Sequence, residues 1–459
     1  MRSGRRSPSF LLALIPPLWI AVLVSAWGVD LPHWDQWELV PRLDALATGD
    51  FDPMELWQPH NEHRLLFPRL LMVGMAAVSG WNIHWELWAN LALAVALAAV
   101  LLLLLRRTAP GPVPPAALAL GSLVVFNPSQ WMNWSWGWQS QIFLVVLGVA
   151  AAVTWLTADR PGGLPTAATA AAVATGSFAN GLLAWPLGIP LAALPLAALP
   201  LTAPRSSNPT PGPRWRRGAL WLLLGACAWA LYFHGFRPSP DVAVDRGLLG
   251  TLQHFGAYVS IYLGAPLFGF HGRLCLWAGF LAVAAALTLS ALWLRDAHRE
   301  GQWRYALPWC VLMAWALGSA AVTAAGRLHL GIGQALSSRY VTLSELFWLG
   351  LLGLWVTRGA PDAQRRIRTQ ARLALLLAAA VLLVNGAHGV ARWDDSRRER
   401  AALQQALRAT ATATEVEALD LTPIYPQPED ILDDIETLRR HRLSLFRDYP
   451  LGDDRGNGV

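Results

Sequence analysis

The sequence predicts an all-α, polytopic membrane protein, and two observations point to that class. Hydrophobic residues make up 54% of the 459 residues, while charged residues make up only 14%. Apolar runs of about 18 residues or more recur along the chain, which is the length that a helix needs to cross a lipid bilayer. The net charge of +6 comes from arginines clustered between these runs, so no nucleic-acid partner is predicted.

The first apolar run covers residues 10–28 and follows the basic N-terminus MRSGRR. Because it has no convincing small-residue cleavage site, we predict a retained signal-anchor helix with its N-terminus in the cytoplasm. A cleaved signal peptide is the alternative.

Arginine clusters between the later runs assign the other spans, because cytoplasmic loops carry an excess of positive charge. These clusters are Arg106 with Arg107, Arg160, Arg205 to Arg217, Arg295 to Arg304, and Arg358 to Arg372. If all of them are cytoplasmic, residues 65–80 and 248–270 cannot cross. Both segments are then expected to be interfacial or re-entrant helices on the outer side. About eleven full spans remain, with an external C-terminus.

Two parts of the chain are predicted from this topology. A transmembrane domain covers residues 1–391, and its external loop 30–84 carries the candidate active site, while residues 392–459 form a small external tail. Within the tail, four apolar residues fall on one helical face behind Pro428: Ile431, Leu432, Ile435 and Leu438. A short amphipathic helix is expected here, docked on the outer loops.

The first external loop carries an acid in an apolar setting, in the stretch HWDQW at residues 33–37. Asp35 stands between Trp34 and Trp37, within a few residues of the membrane edge. An acid at this place suits a general base, since it can take a proton from a hydroxyl group. A surface acid or a helix N-cap is the structural alternative.

The same loop continues with the stretch PHNEHR at residues 59–64. His60 and His63 are three residues apart with Glu62 nearby, so the group can orient an acceptor or hold a divalent cation such as Mg²⁺ or Mn²⁺. The pattern is not HExxH and lacks a third ligand at familiar spacing, so a metalloprotease is not predicted.

Aromatic and amide side chains on the outer face would suit a sugar, whose C–H faces stack on indole rings while its hydroxyls bond amides. The candidates are Trp34, Trp37, Asn133, Trp134, Gln139, Gln141, Asn180, Gln334 and Tyr340. For the tryptophans, the alternative is an aromatic belt at the lipid headgroups.

Arg339 begins a predicted span on the outer face, where an arginine is less expected than on the cytoplasmic face. Binding a phosphate would explain the exception, because the planar guanidinium matches phosphate oxygens. Arg327 and Arg64 are alternates for this contact, and an ordinary headgroup contact is the structural alternative.

The motifs WDQW, HNEHR and SSRY, with the predicted topology, resemble the GT-C class of membrane glycosyltransferases over nearly the whole chain. The likeness is to bacterial members with these motifs and, distantly, to protein O-mannosyltransferases and the lipid A aminoarabinose transferase. It implies a polyprenyl-phosphate sugar as donor and a catalytic role for the first-loop acid, here Asp35. The chain departs from the aminoarabinose transferase type at PHNEHRLLFPR, and no second acid adjoins Asp35, so the acceptor and any metal dependence do not carry over.

The sequence therefore predicts an inverting glycosyltransferase in the bacterial inner membrane. It would move a sugar from a polyprenyl phosphate to an acceptor hydroxyl on the outer face, in an envelope glycan, a lipid or a protein. A transporter or flippase of a lipid-linked sugar is the rival class, and an inactive relative that only binds the lipid-linked sugar is a third possibility.

Overall fold

The computed structural model describes residues 8–158, 162–194, 214–236, 247–300, 303–357, 364–410 and 412–448. The protein is helical apart from a two-stranded antiparallel hairpin of β1 (Pro59–His60) and β2 (His63–Arg64). The first nine helices are α1 Ile15–Trp27, α2 Val40–Thr48, α3 Leu66–Ser79, α4 Ile83–Thr108, α5 Pro115–Val125, α6 Trp131–Ser135, α7 Ser140–Leu156, α8 Gly163–Thr175 and α9 Ala184–Ala193. The others are α10 Arg214–Phe233, α11 Gly247–Phe268, α12 Gly272–Glu300, α13 Trp303–Arg327, α14 Val341–Thr357, α15 Gln364–Ala409, α16 Ala413–Glu417 and α17 Leu432–His441.

Six helices within the described residues are long and apolar enough to cross a membrane: α4, α7, α12, α13, α14 and α15. The all-α membrane class is thus confirmed, whereas eleven full spans are not. Several apolar runs form shorter helices, because proline and short 3₁₀ turns interrupt them. For example, α9 is only ten residues long and contains Pro190.

The helix bundle has two distinct ends. At one end, which we call the arginine end, Arg107 donates a hydrogen bond to the carbonyl of Thr154, and Arg217 donates to that of Leu156. At the opposite end, the site end, lie the first loop, the turn between α8 and α9, and the segment between α13 and α14. Arg107 and Arg217 therefore lie at the end opposite the polar loops, as the charge pattern predicts. Arg160, Arg205 and Arg358 lie outside the described residues, and the sides of the membrane stay a prediction.

Helix α3 fits the prediction that residues 65–80 do not cross. It has 14 residues and is about 21 Å long, which is short for a hydrocarbon core of about 30 Å. Near its start, the Phe67 N–H donates to the carbonyl of Gly176 at the site end. Its end is capped by Gly80 at φ 63°, whose carbonyl accepts from the Ser444 N–H in the tail.

Residues 248–270 require a correction. They form α11, a helix of 22 residues that packs against α12, α13, α14 and α15. Gly264 closely approaches the backbone of Cys275, and Gly279 approaches that of Ser260, so α11 and α12 form a tight antiparallel pair. The packing excludes a helix that only lies on the outer surface and leaves the re-entrant alternative as the prediction.

A second hydrophobic core at the site end is separate from the core of the bundle. It joins Trp37 and Leu56 of the first loop to Ile431, Ile435 and Leu438 of the tail. The predicted amphipathic helix is thus confirmed as α17, docked on the first loop through α2. The predicted boundary between residues 391 and 392 falls inside α15, which runs without a break over 46 residues.

Candidate functional site

A cavity of about 470 Å³ lies at the site end of the bundle. Its wall is built from the first loop, the start of α7, the turn between α8 and α9, and the ends of α10 and α13. Eleven of the residues singled out in the sequence line it: Trp34, Asp35, His60, Glu62, His63, Gln139, Gln141, Asn180, Arg327, Arg339 and Tyr340.

Asp35 lies in a 3₁₀ turn and faces the cavity next to His60. The His60 Nε2 atom is 3.7 Å from Oδ2 of Asp35, and the His60 Nδ1 atom contacts Oε1 of Glu38. Burial alone would lower the pKa of His60, but the two carboxylates outweigh it and raise the pKa to about 9. His60 is therefore a cation at neutral pH and joins the two acids in one charged group.

Glu38 extends this group away from the cavity. Its Oε2 atom is 3.5 Å from the Arg69 guanidinium, which is almost fully buried. Burial, with Arg42 nearby, lowers the pKa of Arg69 to about 10, which still leaves it charged at neutral pH. Asp35 is consequently the acid of this group that faces the cavity.

Glu62 and His63 belong to a second group. Glu62 forms an ion pair with Arg327 and lies 3.6 Å from Nε2 of His63. Although burial would raise the pKa of Glu62, the Arg327 cation beside it lowers that pKa, so Glu62 is ionised. Burial lowers the pKa of His63 to about 3, and Arg327 adds to that shift.

The neutral His63 ring is fixed in place by two contacts. It stacks on Phe178 with ring centroids 3.9 Å apart, and its Nδ1 atom accepts from the Ala179 N–H. That acceptor role assigns the ring proton to Nε2, on the side of Glu62.

The sequence grouped His60, Glu62 and His63 as one acceptor or metal site, but the side chains divide between two groups. His60 pairs with Asp35 and Glu38, whereas Glu62 pairs with Arg327. Among the described residues, no group of three His, Cys, Asp or Glu side chains could hold a metal ion. The divalent cation thus gains no support from this arrangement.

Arg339 differs from Arg327 in having no carboxylate partner in the described part of the chain. Its guanidinium lies 5.2 Å from the ring centroid of Tyr340, and its buried Nε atom has no hydrogen-bond partner there. Arg339 therefore brings an uncompensated positive charge to the cavity wall.

Arg64 does not line the cavity. Its guanidinium donates to the carbonyls of Trp57, Tyr232 and His234 and stacks on the Trp57 ring at 4.8 Å. Since backbone carbonyls occupy its donors, Arg64 ties the first loop to the end of α10. The prediction of Arg64 as an alternate phosphate contact is therefore corrected, because its guanidinium is outside the cavity lining and already hydrogen-bonded.

The predicted sugar-binding residues separate into two sets. Trp34, Gln139, Gln141, Asn180 and Tyr340 line the cavity. Gln139 is only 1% exposed, and within the described residues neither of its amide atoms has a hydrogen-bond partner; the same is true of the Gln141 carbonyl oxygen. A ligand with several hydroxyls would satisfy these groups.

The other four predicted sugar-binding residues lie away from the cavity. Trp37 belongs to the second core, and Trp134 packs between Phe126 and Phe143. Asn133 is buried and donates to the carbonyl of Arg339 and to the Thr342 hydroxyl, so it braces the arginine segment. Gln334 lies in the 3₁₀ turn Ile332–Leu336, outside the residues that line the cavity.

No family model, curated protein or solved structure matches this chain. The chemistry of the cavity therefore rests on its own side chains. The cavity lining includes the carboxylate of Asp35, the guanidinium of Arg339 and the buried amides of Gln139 and Gln141.

The cavity has an aromatic wall at the end of α10, which was not predicted from the sequence. Trp229, Tyr232, Phe233 and Phe236 line the cavity on that side. Trp229 and Phe233 are 40% and 45% exposed, so the wall continues onto the outside of the bundle. The stretch WALYFHGF at residues 229–236 could have indicated this wall, because it places four aromatic residues at the end of an apolar run.

Proposed function

We propose that the protein is a membrane glycosyltransferase of the GT-C type. It transfers a sugar from a polyprenyl phosphate to an acceptor hydroxyl of an envelope glycan, lipid or protein at the outer face of the bacterial inner membrane. The observation that carries this proposal is the convergence in one cavity of Asp35, the unpaired Arg339 and the unpartnered amide of Gln139.

The anionic part of the donor fits the cation at Arg339. A guanidinium without a carboxylate partner attracts a phosphate, and in a partly buried cavity this attraction is stronger than in water. Arg327 is already balanced by Glu62, so it lies near the phosphate but contributes less net charge.

The sugar fits the unpartnered amides of the cavity. Gln139 and Gln141 are buried, and leaving such groups unsatisfied costs free energy, about 1 to 3 kcal/mol per group. Hydroxyl groups of a bound sugar would provide the missing partners, while Trp34 offers an indole ring at the same wall.

The polyprenyl tail fits the aromatic wall of α10. The wall begins inside the cavity and reaches exposed side chains on the outside of the bundle, and Val322 of α13 (44% exposed) also lines the cavity. An isoprenoid chain can leave the cavity there and remain in contact with apolar side chains and lipid.

Asp35 is the base of the proposed reaction. The acceptor hydroxyl loses its proton to Asp35 as its oxygen attacks the anomeric carbon, and the bond between that carbon and the phosphate oxygen breaks. The released phosphate takes the negative charge and stays beside Arg339. A single displacement of this kind inverts the anomeric centre.

The test compares cells that carry the wild-type protein, Asp35→Asn, or no protein. We expect polyprenyl-phosphate sugar, measured by mass spectrometry of extracted lipids, to accumulate equally in the last two. The reason is that a positioned base contributes roughly 100- to 10,000-fold to rate. Asp50→Asn, at an exposed acid of the same loop, is the matched control and should behave as wild type.

Two results would contradict the proposal. Normal lipid levels in cells with a well-folded Asp35→Asn protein would remove Asp35 from the mechanism. A lipid-linked sugar confined to the cytoplasmic leaflet in cells without the protein would instead identify the flippase alternative.

A further inference from the structure

A second cavity, of about 230 Å³, lies on the other side of the segment that carries Arg339. Ser337 and Ser338 line this second cavity, whereas Arg339 and Tyr340 line the first. Its remaining polar wall comes from Ser129, which precedes α6, and from α15. The second cavity shares none of its lining residues with the proposed active site.

A buried hydroxyl in the second cavity lacks a partner. Ser129 is 8% exposed, and its Oγ atom forms no hydrogen bond within the described part of the chain. Ser338 is also buried, and its Oγ atom accepts from the Met132 N–H at 3.4 Å. Because buried hydroxyls are normally hydrogen-bonded, the Ser129 hydroxyl indicates a ligand that accepts from it.

The cation of the second cavity is Arg392. It lies four residues after His388 on α15, so both side chains are on one face of the helix. In the described part of the chain Arg392 takes part in no ion pair, whereas Arg397 and Arg398 on the same helix both pair with Asp394. The second cavity therefore has an uncompensated positive charge beside an unpartnered donor, which is suitable for an anion.

The position of Arg392 along α15 points to the source of the anion. An apolar run that begins at Leu373 ends directly before Arg392, which places the guanidinium at the depth of lipid phosphates. An exposed apolar side chain lies beside the second cavity: the ring of Phe270 (40% exposed) is 5.9 Å from that of His388.

We propose that the second cavity binds the headgroup of an anionic phospholipid. Its phosphodiester would accept from Arg392 and from the Ser129 hydroxyl, and its acyl chains would lie against the exposed Phe270 ring. One arginine matches the single negative charge of a phosphodiester such as that of phosphatidylglycerol. The bound lipid would lie against Ser337 and Ser338, and so against the segment that positions Arg339. This site does not depend on the proposed glycosyltransferase activity.

The experiment uses the full chain, purified in detergent and exchanged with defined lipids. Native mass spectrometry would count retained phosphatidylglycerol and, in a separate sample, retained phosphatidylcholine. We expect one phosphatidylglycerol to be held by the wild type, with affinity weakened about tenfold or more in Arg392→Gln and in Ser129→Ala. Arg398→Gln removes the same charge from α15 outside the second cavity and should retain the lipid.

Each other outcome would overturn the assignment. Equal retention by all variants would mean that the lipid belongs to the general annulus around the bundle. If the wild type retains phosphatidylcholine equally well, the net negative charge of the lipid does not determine binding. Displacement of the lipid by millimolar inorganic phosphate, with phosphate held in its place, would identify the ligand as a free anion.

Discussion

At the scale of single residues, Arg339 and Arg327 look equivalent in the sequence but not in the structure. Both line the first cavity, yet Arg327 is neutralised by Glu62 and Arg339 is not. Arg339 also lies just before the N-terminus of α14, whose positive dipole end favours an anion. These differences favour Arg339 over Arg327 as the phosphate contact of the proposed donor.

We therefore predict that Arg339→Lys weakens donor binding by about 1 to 3 kcal/mol, because the charge remains but the planar fork is lost. Arg327→Lys keeps its pair with Glu62 and should have a smaller effect. Donor affinity would be measured for both variants in nanodiscs. A loss confined to the Arg327 variant would reverse the assignment, and no loss in either would place the phosphate elsewhere.

His60 gives a prediction about pH. Its pKa is raised to about 9 by Asp35 and Glu38, against the lowering effect of burial. The charged contact therefore stabilises the fold fully below a pH of about 6.5, and this stability is lost as the pH rises through about 9. The contact contributes at most about 3.5 kcal/mol to the free energy of unfolding, since one pKa unit corresponds to about 1.4 kcal/mol.

The measurement is thermal unfolding of the detergent-solubilised protein between pH 6 and pH 10. We expect the wild type to lose stability over this range and His60→Gln to show a much smaller loss. His329→Gln, at an exposed histidine of the site end, is the control and should retain the wild-type slope. An identical slope in all three proteins would show that the charge on His60 does not stabilise the fold.

The residues of the candidate site were predictable from sequence only in part, and their contacts were not. Asp35, Gln139 and Arg339 were predicted from residue type and from their place next to apolar runs. The role of Arg64 was not predicted, because its partners Tyr232 and His234 lie 168 and 170 residues further along the chain. Likewise, α6 ends at Ser135, before Gly137, and this end of the helix separates the braced Asn133 from the cavity-lining Gln139. A Cβ atom at Gly137 would overlap the Glu86 side chain, a contact that no local pattern reveals.

At the scale of elements, the tail forms part of the first-loop structure. The Trp34 N–H donates to the carbonyl of Ile424 at 2.7 Å, and Trp34 has φ 49°, which is unfavourable for a bulky residue. This tail contact helps to hold the backbone next to Asp35. Further along the tail, Arg447 pairs with the buried Asp30 at 3.2 Å.

We predict that Arg447→Gln loosens the tail and lowers transferase activity, because the buried carboxylate of Asp30 loses its cation. We expect the docking of the tail to be weakened by about 1 to 3 kcal/mol. Limited proteolysis of the tail and transfer rates would be measured together. Arg440→Gln, at an exposed arginine of α17, is the matched control and should change neither. Faster proteolysis without a change in activity would separate the tail from the positioning of Asp35.

The helices themselves were predictable to different degrees. The apolar face of α17 and the shortness of α3 are visible in residue spacing and in charge parity. The place of α11 was not, because its glycine contacts with α12 depend on close helix packing rather than on hydropathy. The second core was also hidden, since it combines first-loop and tail residues that are almost 400 positions apart.

At the scale of the whole molecule, this second core constrains the topology. The first loop and the tail pack together, so they must lie on the same side of the membrane. The arginine end lies at the opposite end of the bundle, with Arg106 and Arg107 in the last turn of α4. The charge distribution predicts that this end lies in the cytoplasm and that the first loop and the tail lie outside.

Single cysteines test this topology in a chain whose Cys227, Cys275 and Cys310 are replaced by alanine. With a membrane-impermeant maleimide, Asp50→Cys in the first loop and Arg440→Cys in the tail should react in intact cells. Gly111→Cys, between α4 and α5, should react only after permeabilisation. All three positions are exposed, so differences in labelling report the side of the membrane. If Asp50→Cys and Arg440→Cys are labelled on opposite sides of the membrane, the packing of the first loop against the tail in the second core is contradicted. If both are labelled only after permeabilisation, the candidate active site lies in the cytoplasm.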